Sequence, residues 1–260
     1  MVLEREPLPT RVQDTAPLPP SYEAALVSGS AEPLLTSVLA DPAVRAVIDG
    51  HVRLLLAWTP HINLTAIREP AAVATAHVLD SLSGLAWLRD RAAERVLDLG
   101  SGGGFPGLPL AAALPDTAFT LVEPIAKKAR FLSTVVEATG LADRVTVITA
   151  RAEELATVPY RRGAWSVITG RAVASTADLV ELSFPLLARG GSLVAWKRGD
   201  LTAELAAARR AIDALGGGTL EVRDVTIAGL TDHRLAIATR TGAVPVAYPR
   251  DPEARRRRPW

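Results

Sequence analysis

Between Pro33 and Leu56 the apolar residues return at spacings of three and four: Leu34, Leu35, Val38 and Leu39, then Val44, Val47, Ile48, Val52, Leu55 and Leu56. That period predicts two amphipathic helices, joined at Asp41-Pro42 and closed by Pro60. A third helix is expected from Pro70, a residue suited to a first helical turn, and on it His77 and Asp80 or Ser81 share a face. At Arg95 the pattern changes: Val96, Leu97 and Leu99 form the short apolar run of a buried strand, a glycine-rich stretch follows, and helical spacing resumes with Leu108, Leu110, Ala111, Ala112 and Leu114. Further strands are expected at 118–122, 145–149, 166–169 and 192–196, alternating with helices at 125–139, from beyond Ser175 through Leu187, and at 201–215. Two β-rich runs, 220–227 and 234–239, close the pattern. Strands alternating with helices mean an α/β fold: a mostly parallel sheet flanked by helices, with a C-terminal antiparallel strand and an N-terminal helical layer.

Residues 1–32 carry five prolines, five acidic residues and two arginines without an apolar period, and read as a disordered leader. Within them Pro19-Pro20-Ser21-Tyr22 matches the ligand pattern of WW domains. The chain therefore divides into a leader (1–32), a helical extension (33–92), an α/β domain (93–242) and a basic tail (243–260). The tail holds five arginines and two acidic residues between Arg250 and Trp260, a composition usual for a solvated end and otherwise for an arm that reaches phosphates.

Composition narrows the chemistry. The 29 basic and 28 acidic residues give a net charge of +1, which neither favours nor excludes nucleic acid, because charge can be segregated on the surface. The absence of cysteine removes disulfides, thiolate nucleophiles and cysteine zinc sites. Histidines 51, 61, 77 and 233 lack metal-ligand spacing, so no metal site is expected. Glu4 and Glu6 stand where a secretory signal would be apolar, and the longest uncharged run, 99–115, is broken by glycine and proline. A cytoplasmic protein with no membrane association is expected.

The densest chemical signal is residues 95–107, Arg-Val-Leu-Asp-Leu-Gly-Ser-Gly-Gly-Gly-Phe-Pro-Gly. Glycines between a strand and a helix allow positive φ and close approach of the backbone to a ligand. Gly102, Gly104 and Gly107 satisfy the dinucleotide spacing, but Asp98-Leu99-Gly100-Ser101 pushes it away from the strand and Pro106 sits where that helix would already run. Asp98, Gly100, Gly102 and Gly104 instead reproduce the acid-Gly-x-Gly-x-Gly order suited to S-adenosylmethionine. That cofactor has no pyrophosphate; its ammonium, sulfonium, ribose and adenine call for carboxylates. Glu123 ends the next strand, about 20 residues on, where an acid holds ribose hydroxyls, and Glu153 follows the third strand. A nicotinamide-dependent oxidoreductase or a small-molecule methyltransferase on a related fold is the alternative.

Several segments together resemble the bacterial small-subunit ribosomal RNA guanine-N7 methyltransferases, the glucose-inhibited division protein B family: 63–70 (Asn-Leu-Thr-Ala-Ile-Arg-Glu-Pro), 77–81 (His-Val-Leu-Asp-Ser), 98–107, 127–132 (Lys-Lys-Ala-Arg-Phe-Leu), 151–154 (Arg-Ala-Glu-Glu) and 170–175 (Gly-Arg-Ala-Val-Ala-Ser). The resemblance spans roughly residues 45 to 240 and leaves out both tails. It implies a class I (Rossmann-like) methyltransferase domain at 93–242, S-adenosylmethionine as donor, and N7 of a guanine in the 530 loop of 16S RNA, in the small ribosomal subunit, as acceptor. It further implies cofactor contacts at Gly100, Phe105, Ala152, Glu153 and Arg171. Two departures stand out: Ala76 occupies a place where related sequences often have arginine, and Glu123 one where some have aspartate. Arg171 and Lys197 are expected to orient the base, His77 to orient or support, and Arg68, Arg171, Lys197, Arg198 and Arg255 to Arg258 to meet RNA phosphates. Guanine N7 carries a lone pair and no proton, so no general base is expected.

Overall fold

A computed structural model describes residues 7–260, so the first six residues of the expected leader lie outside the described residues. Among the described residues, seven strands form one sheet in the order β3-β2-β1-β4-β5-β7-β6. They are β1 (Arg95–Leu99), β2 (Ala118–Val122), β3 (Val145–Ile148), β4 (Trp165–Arg171), β5 (Leu187–Arg198), β6 (Gly218–Asp224) and β7 (His233–Arg240). The first five pair in parallel, whereas β7 runs antiparallel to both β5 and β6. Val96 and Leu97, successive in β1, are both fully buried but belong to different apolar clusters, one on each face of the sheet. A parallel strand covered on both faces thus reads as a continuous apolar run.

On one face lie α1 (Pro20–Gly29), α2 (Pro33–Ala40), α3 (Pro42–Ile62), the helical run α4 (Pro70–Asp90), α5 (Gly107–Ala113) and α6 (Ala126–Ala138), united by Leu26, Ile48, Leu54, Leu79, Leu108 and Phe131. On the other lie α7 (Ala152–Thr157), α8 (Thr176–Ser183) and α9 (Thr202–Ala214), around Leu155, Leu179, Phe184 and Ile212. The tail adds α10 (Pro252–Arg257). α4 is long and apolar enough to cross a membrane, yet 61% of that stretch is buried against the rest of the protein, as befits a core helix.

The leader is ordered from residue 7, contrary to its composition. Trp58 donates to the Pro9 carbonyl at 2.8 Å and Arg53 to the carbonyls of Thr15 and Ala16 at 2.6 and 3.0 Å, while Leu8, Val12, Leu18, Tyr22 and Leu26 pack into the core of the helical layer, so both backbone bonds and apolar burial hold the segment. Tyr22, the end of the WW-like tetrapeptide, is buried on α1 and donates to Asp49 at 3.1 Å, which removes it from any extended ligand. Pro60 does not close α3. It sits in the last turn, the helix runs two residues further to Ile62, and Asn63, with φ of 51°, makes the left-handed cap. The helix expected through Leu187 stops at Ser183, and β5 begins at Leu187. Gly190 and Gly191 lie inside β5 at a register shift, where Trp165 pairs with Leu187 but Val167 with Ser192.

Candidate active site

The strand order reverses between β1 and β4, the switch point at which α/β sheets open a crevice at their carboxyl ends. The loop from Gly100 to Pro106 occupies it. Gly100, Gly102 and Gly104 have φ of 67°, 53° and 91°, so all three sites of the Gly-x-Gly-x-Gly pattern use the left-handed region. Glu123 ties the loop down: Oε2 accepts from Gly102 N and Oε1 from Ile125 N, both at 2.9 Å. Each carboxylate oxygen keeps a second lone pair for a ribose hydroxyl. Asp98 lies beneath the loop with no exposed surface. Its Oδ1 accepts from Thr169 at 2.7 Å, while Oδ2 has no hydrogen-bond partner among the described residues, and burial raises the carboxyl to about 6. With no exposed surface, the Asp98 carboxylate is held from β4 rather than presented to the crevice.

His51, which the sequence analysis considered only for metal-ligand spacing, grips the same loop from the helical layer. Its Nε2 donates to the Gly103 carbonyl at 2.7 Å, and burial holds its ring neutral by lowering its pKa to about 4. A carbonyl only accepts, so Nε2 carries the proton. Phe105 lies between two imidazoles, 4.5 Å from His51 and stacked 4.7 Å from His77, with the Arg171 guanidinium 5.3 Å from its ring centroid.

His77 and Asp80 owe their positions to a π-helical turn in α4 at Ala74–Leu79. The Asp80 N–H bonds to Thr75 and His77 and skips Ala76, whose carbonyl accepts instead from Arg171 Nη1 at 2.8 Å. The same nitrogen meets Asp80 Oδ2 at 2.9 Å, and Nη2 donates to His77 Nδ1 at 2.9 Å. His77 Nδ1 thus faces both the Arg171 guanidinium and, at 3.0 Å, the Ala76 carbonyl, and Nε2 bonds the Thr65 hydroxyl, which serves as donor or acceptor, at 2.7 Å. Burial, reinforced by the charge on Arg171, lowers His77 to about 3. Asp80 also accepts from His233 Nδ1 at 2.9 Å, and its carbonyl accepts from Trp196 Nε1 at 2.6 Å. Ile67, His77, Asp80, Arg171, Trp196 and His233 line a cavity of about 380 Å³ together with Lys197 and Arg198.

The other expected residues are distributed unevenly. Lys197 reaches the cavity wall, but its ammonium is engaged by Glu204 at 2.6 Å and the Ala174 carbonyl at 2.7 Å. Ala152 opens α7 and is buried, and the Glu153 carboxylate is paired with Arg255 from the tail. Arg68 and Arg198 are exposed. Sequence reasoning missed His51, Thr65, Trp196 and His233 as parts of this region. Two of them left a signal: Trp196 closes the expected strand 192–196, and His233 immediately precedes the expected run 234–239.

The family described as rRNA small subunit methyltransferase G matches residues 45–231. The chain belongs to this family. Among its relatives, the ribosomal RNA small subunit methyltransferase G of Roseiflexus sp. (strain RS-1) is 41% identical over 206 residues, covering 79% of this chain and 87% of that protein. The corresponding protein of Roseiflexus castenholzii is 43% identical over 197 residues, covering 75% and 83%. The O-methyltransferase from Bacillus cereus, in complex with SAH, matches the fold with a TM-score of 0.55 at 15% identity, covering 83% of this chain and all of that one. The protein is thus a class I rRNA methyltransferase that uses S-adenosylmethionine. Its crevice fits that donor: a Cβ on Gly102 would find no heavy atom nearer than the Gly100 carbonyl oxygen at 3.7 Å, so the backbone there faces open space.

Proposed function

We propose that this methyltransferase modifies N7 of a guanine in the 530 loop of 16S ribosomal RNA, within the small ribosomal subunit and in the cytoplasm. The donor would rest on the loop of Gly100, Gly102 and Gly104, beside Phe105 and the start of α7 at Ala152 and Glu153, with Glu123 available to the ribose. When bound, S-adenosylmethionine supplies an electrophilic methyl group on sulfonium. One observation carries the choice of N7. His77, stacked on Phe105 at the cavity, has both ring nitrogens engaged and a pKa near 3, so it is not a proton acceptor. A hydroxyl or exocyclic amine must lose a proton during methylation, whereas N7 attacks through a lone pair that carries none.

The chain's contribution is then alignment. Holding nucleophile and methyl group in line can supply roughly 7 to 11 kcal/mol of barrier reduction. Arg171 keeps Phe105, His77 and Asp80 in one arrangement, and the exposed Arg68 and Arg198 suit phosphate contacts at the rim. Labelled donor incubated with small subunits from a strain lacking this modification should place one methyl group on guanine N7 by chemical mapping. The His77→Gln protein should keep the wild-type shape of the single-turnover pH profile. Label at another atom, or a pH limb that disappears in His77→Gln, would overturn the assignment.

A further inference from the structure

We infer that His233 is a specificity-determining residue that reads the Watson–Crick edge of the acceptor guanine, an inference that rests on the guanine reading above. In an otherwise parallel sheet only carboxyl ends reach the crevice, but β7 is antiparallel and brings its first residue there, opposite Arg198 at the end of β5. Trp196, Arg198 and His233 consequently share one face of the β5–β7 ladder. Lys197 and its partner Arg234 point to the other, where Lys197 meets Glu204.

Asp80 fixes the ring. A carboxylate only accepts, so His233 Nδ1 carries the proton in the 2.9 Å bond to Oδ1, and in the neutral ring Nε2 is left as an acceptor. No hydrogen bond within the protein engages that nitrogen among the described residues, and His233 lines the 380 Å³ cavity with its side chain 16% exposed. The other oxygen of Asp80 is held by Arg171, and Trp196 bonds the Asp80 carbonyl, so the ring belongs to a braced unit.

Guanine presents an acceptor, O6, and two donors, N1–H and the 2-amino group, along this edge. A wall with one fixed acceptor, His233 Nε2, complements either of those donors. Because N7 bears no proton, the histidine accepts a hydrogen bond without abstracting one. Discrimination by a hydrogen-bonding site arises because a base lacking the donor leaves the fixed acceptor unpaired.

The test uses the full-length enzyme and small subunits reconstituted with guanine, inosine or 2-aminopurine at the mapped position. Inosine lacks the 2-amino group; 2-aminopurine lacks N1–H and O6. His233→Leu should lower kcat/KM on the guanine substrate by about tenfold, the worth of one hydrogen bond. Donor affinity, by calorimetry, should stay unchanged. The variant's deficit should vanish on whichever analogue lacks the donor read, and His233→Gln, which keeps an acceptor, should recover most of the rate. An equal deficit on all three substrates, or none on guanine, overturns the role of His233 while leaving the guanine reading standing. Absence of label on guanine with the wild-type enzyme overturns both.

Discussion

Gly102 and Gly104 stand two residues apart in one loop, yet a side chain at each would meet different surroundings. At Gly102 the nearest atom to a Cβ is 3.7 Å away, whereas at Gly104 a Cβ would come within 2.4 Å of Leu108 Cδ1 and 2.8 Å of His51 Nε2. Gly102→Val meets no crowding, but a β-branched residue at φ 53° should cost about 1–3 kcal/mol of stability, and its side chain should abolish donor binding; a folded variant with wild-type calorimetric affinity would refute the role of this loop. Gly104→Ala should instead lower stability by about 1–3 kcal/mol through overpacking, read as a lower urea midpoint. Acid stability belongs to the same scale. His51 and His77 titrate near 4 and 3, below the ordinary 6.5, so the unfolded chain binds their protons first and their contribution is lost as pH falls from 6.5 towards 3. Asp98, raised from 3.8 to about 6, acts in the opposite sense between those values. With two groups against one, Tm should fall from pH 6.5 to 4, and the fall should be shallower in His77→Gln.

At the scale of elements, the π-helical turn of α4 joins the helical layer to the sheet. By skipping Ala76 it leaves a carbonyl for Arg171 of β4, and the side chain of Asp80 then binds Arg171 and His233 of β7. Arg171 and Asp80 are 14% and 5% exposed, so the pair is buried, and removing one partner leaves an uncompensated charge. Asp80→Ala should cost about 3–5 kcal/mol in urea unfolding. Replacing both partners, Asp80→Leu with Arg171→Met, should recover much of that stability while methyl transfer stays lost. Equal stability of the wild type and Asp80→Ala would show that the helical layer does not depend on this link.

For the molecule as a whole, the tail acts as a strap. Glu181 on α8 has no exposed surface and receives Arg250 at 2.6 Å and the Trp260 indole at 2.7 Å, while Arg255 pairs with Glu153 beside the start of α7. Deleting residues 250–260 strands a buried carboxylate and should cost roughly 3–5 kcal/mol. Adding Glu181→Leu to the truncated chain should restore most of it, and an unchanged midpoint after truncation would return the tail to the status of a solvated end. Arg256, Arg257 and Arg258 remain exposed, so the truncation should also reduce the salt dependence of RNA binding if they reach phosphates.

The local pattern of this chain was enough to determine the alternation of strands and helices, because burial on both faces of a parallel sheet leaves short apolar runs and burial on one face leaves the helical period. It also determined the glycine loop and the family, since close backbone approach to a ligand restricts residue type whatever surrounds it. Tertiary structure decided what depends on partners distant in sequence. Residues 7–32 look disordered because their scattered apolar residues, Leu8, Val12, Leu18, Tyr22 and Leu26, gain a core only against distant helices, helped by backbone bonds to Arg53 and Trp58, and the arginines of the tail look solvated because Glu181 and Glu153 lie far upstream. Lys197 and His233 show the rule at its finest grain. Which face of a strand a side chain takes, and whether a strand begins or ends at the crevice, follow from the sheet's order and direction, so the lysine is engaged by Glu204 while the histidine faces the cavity.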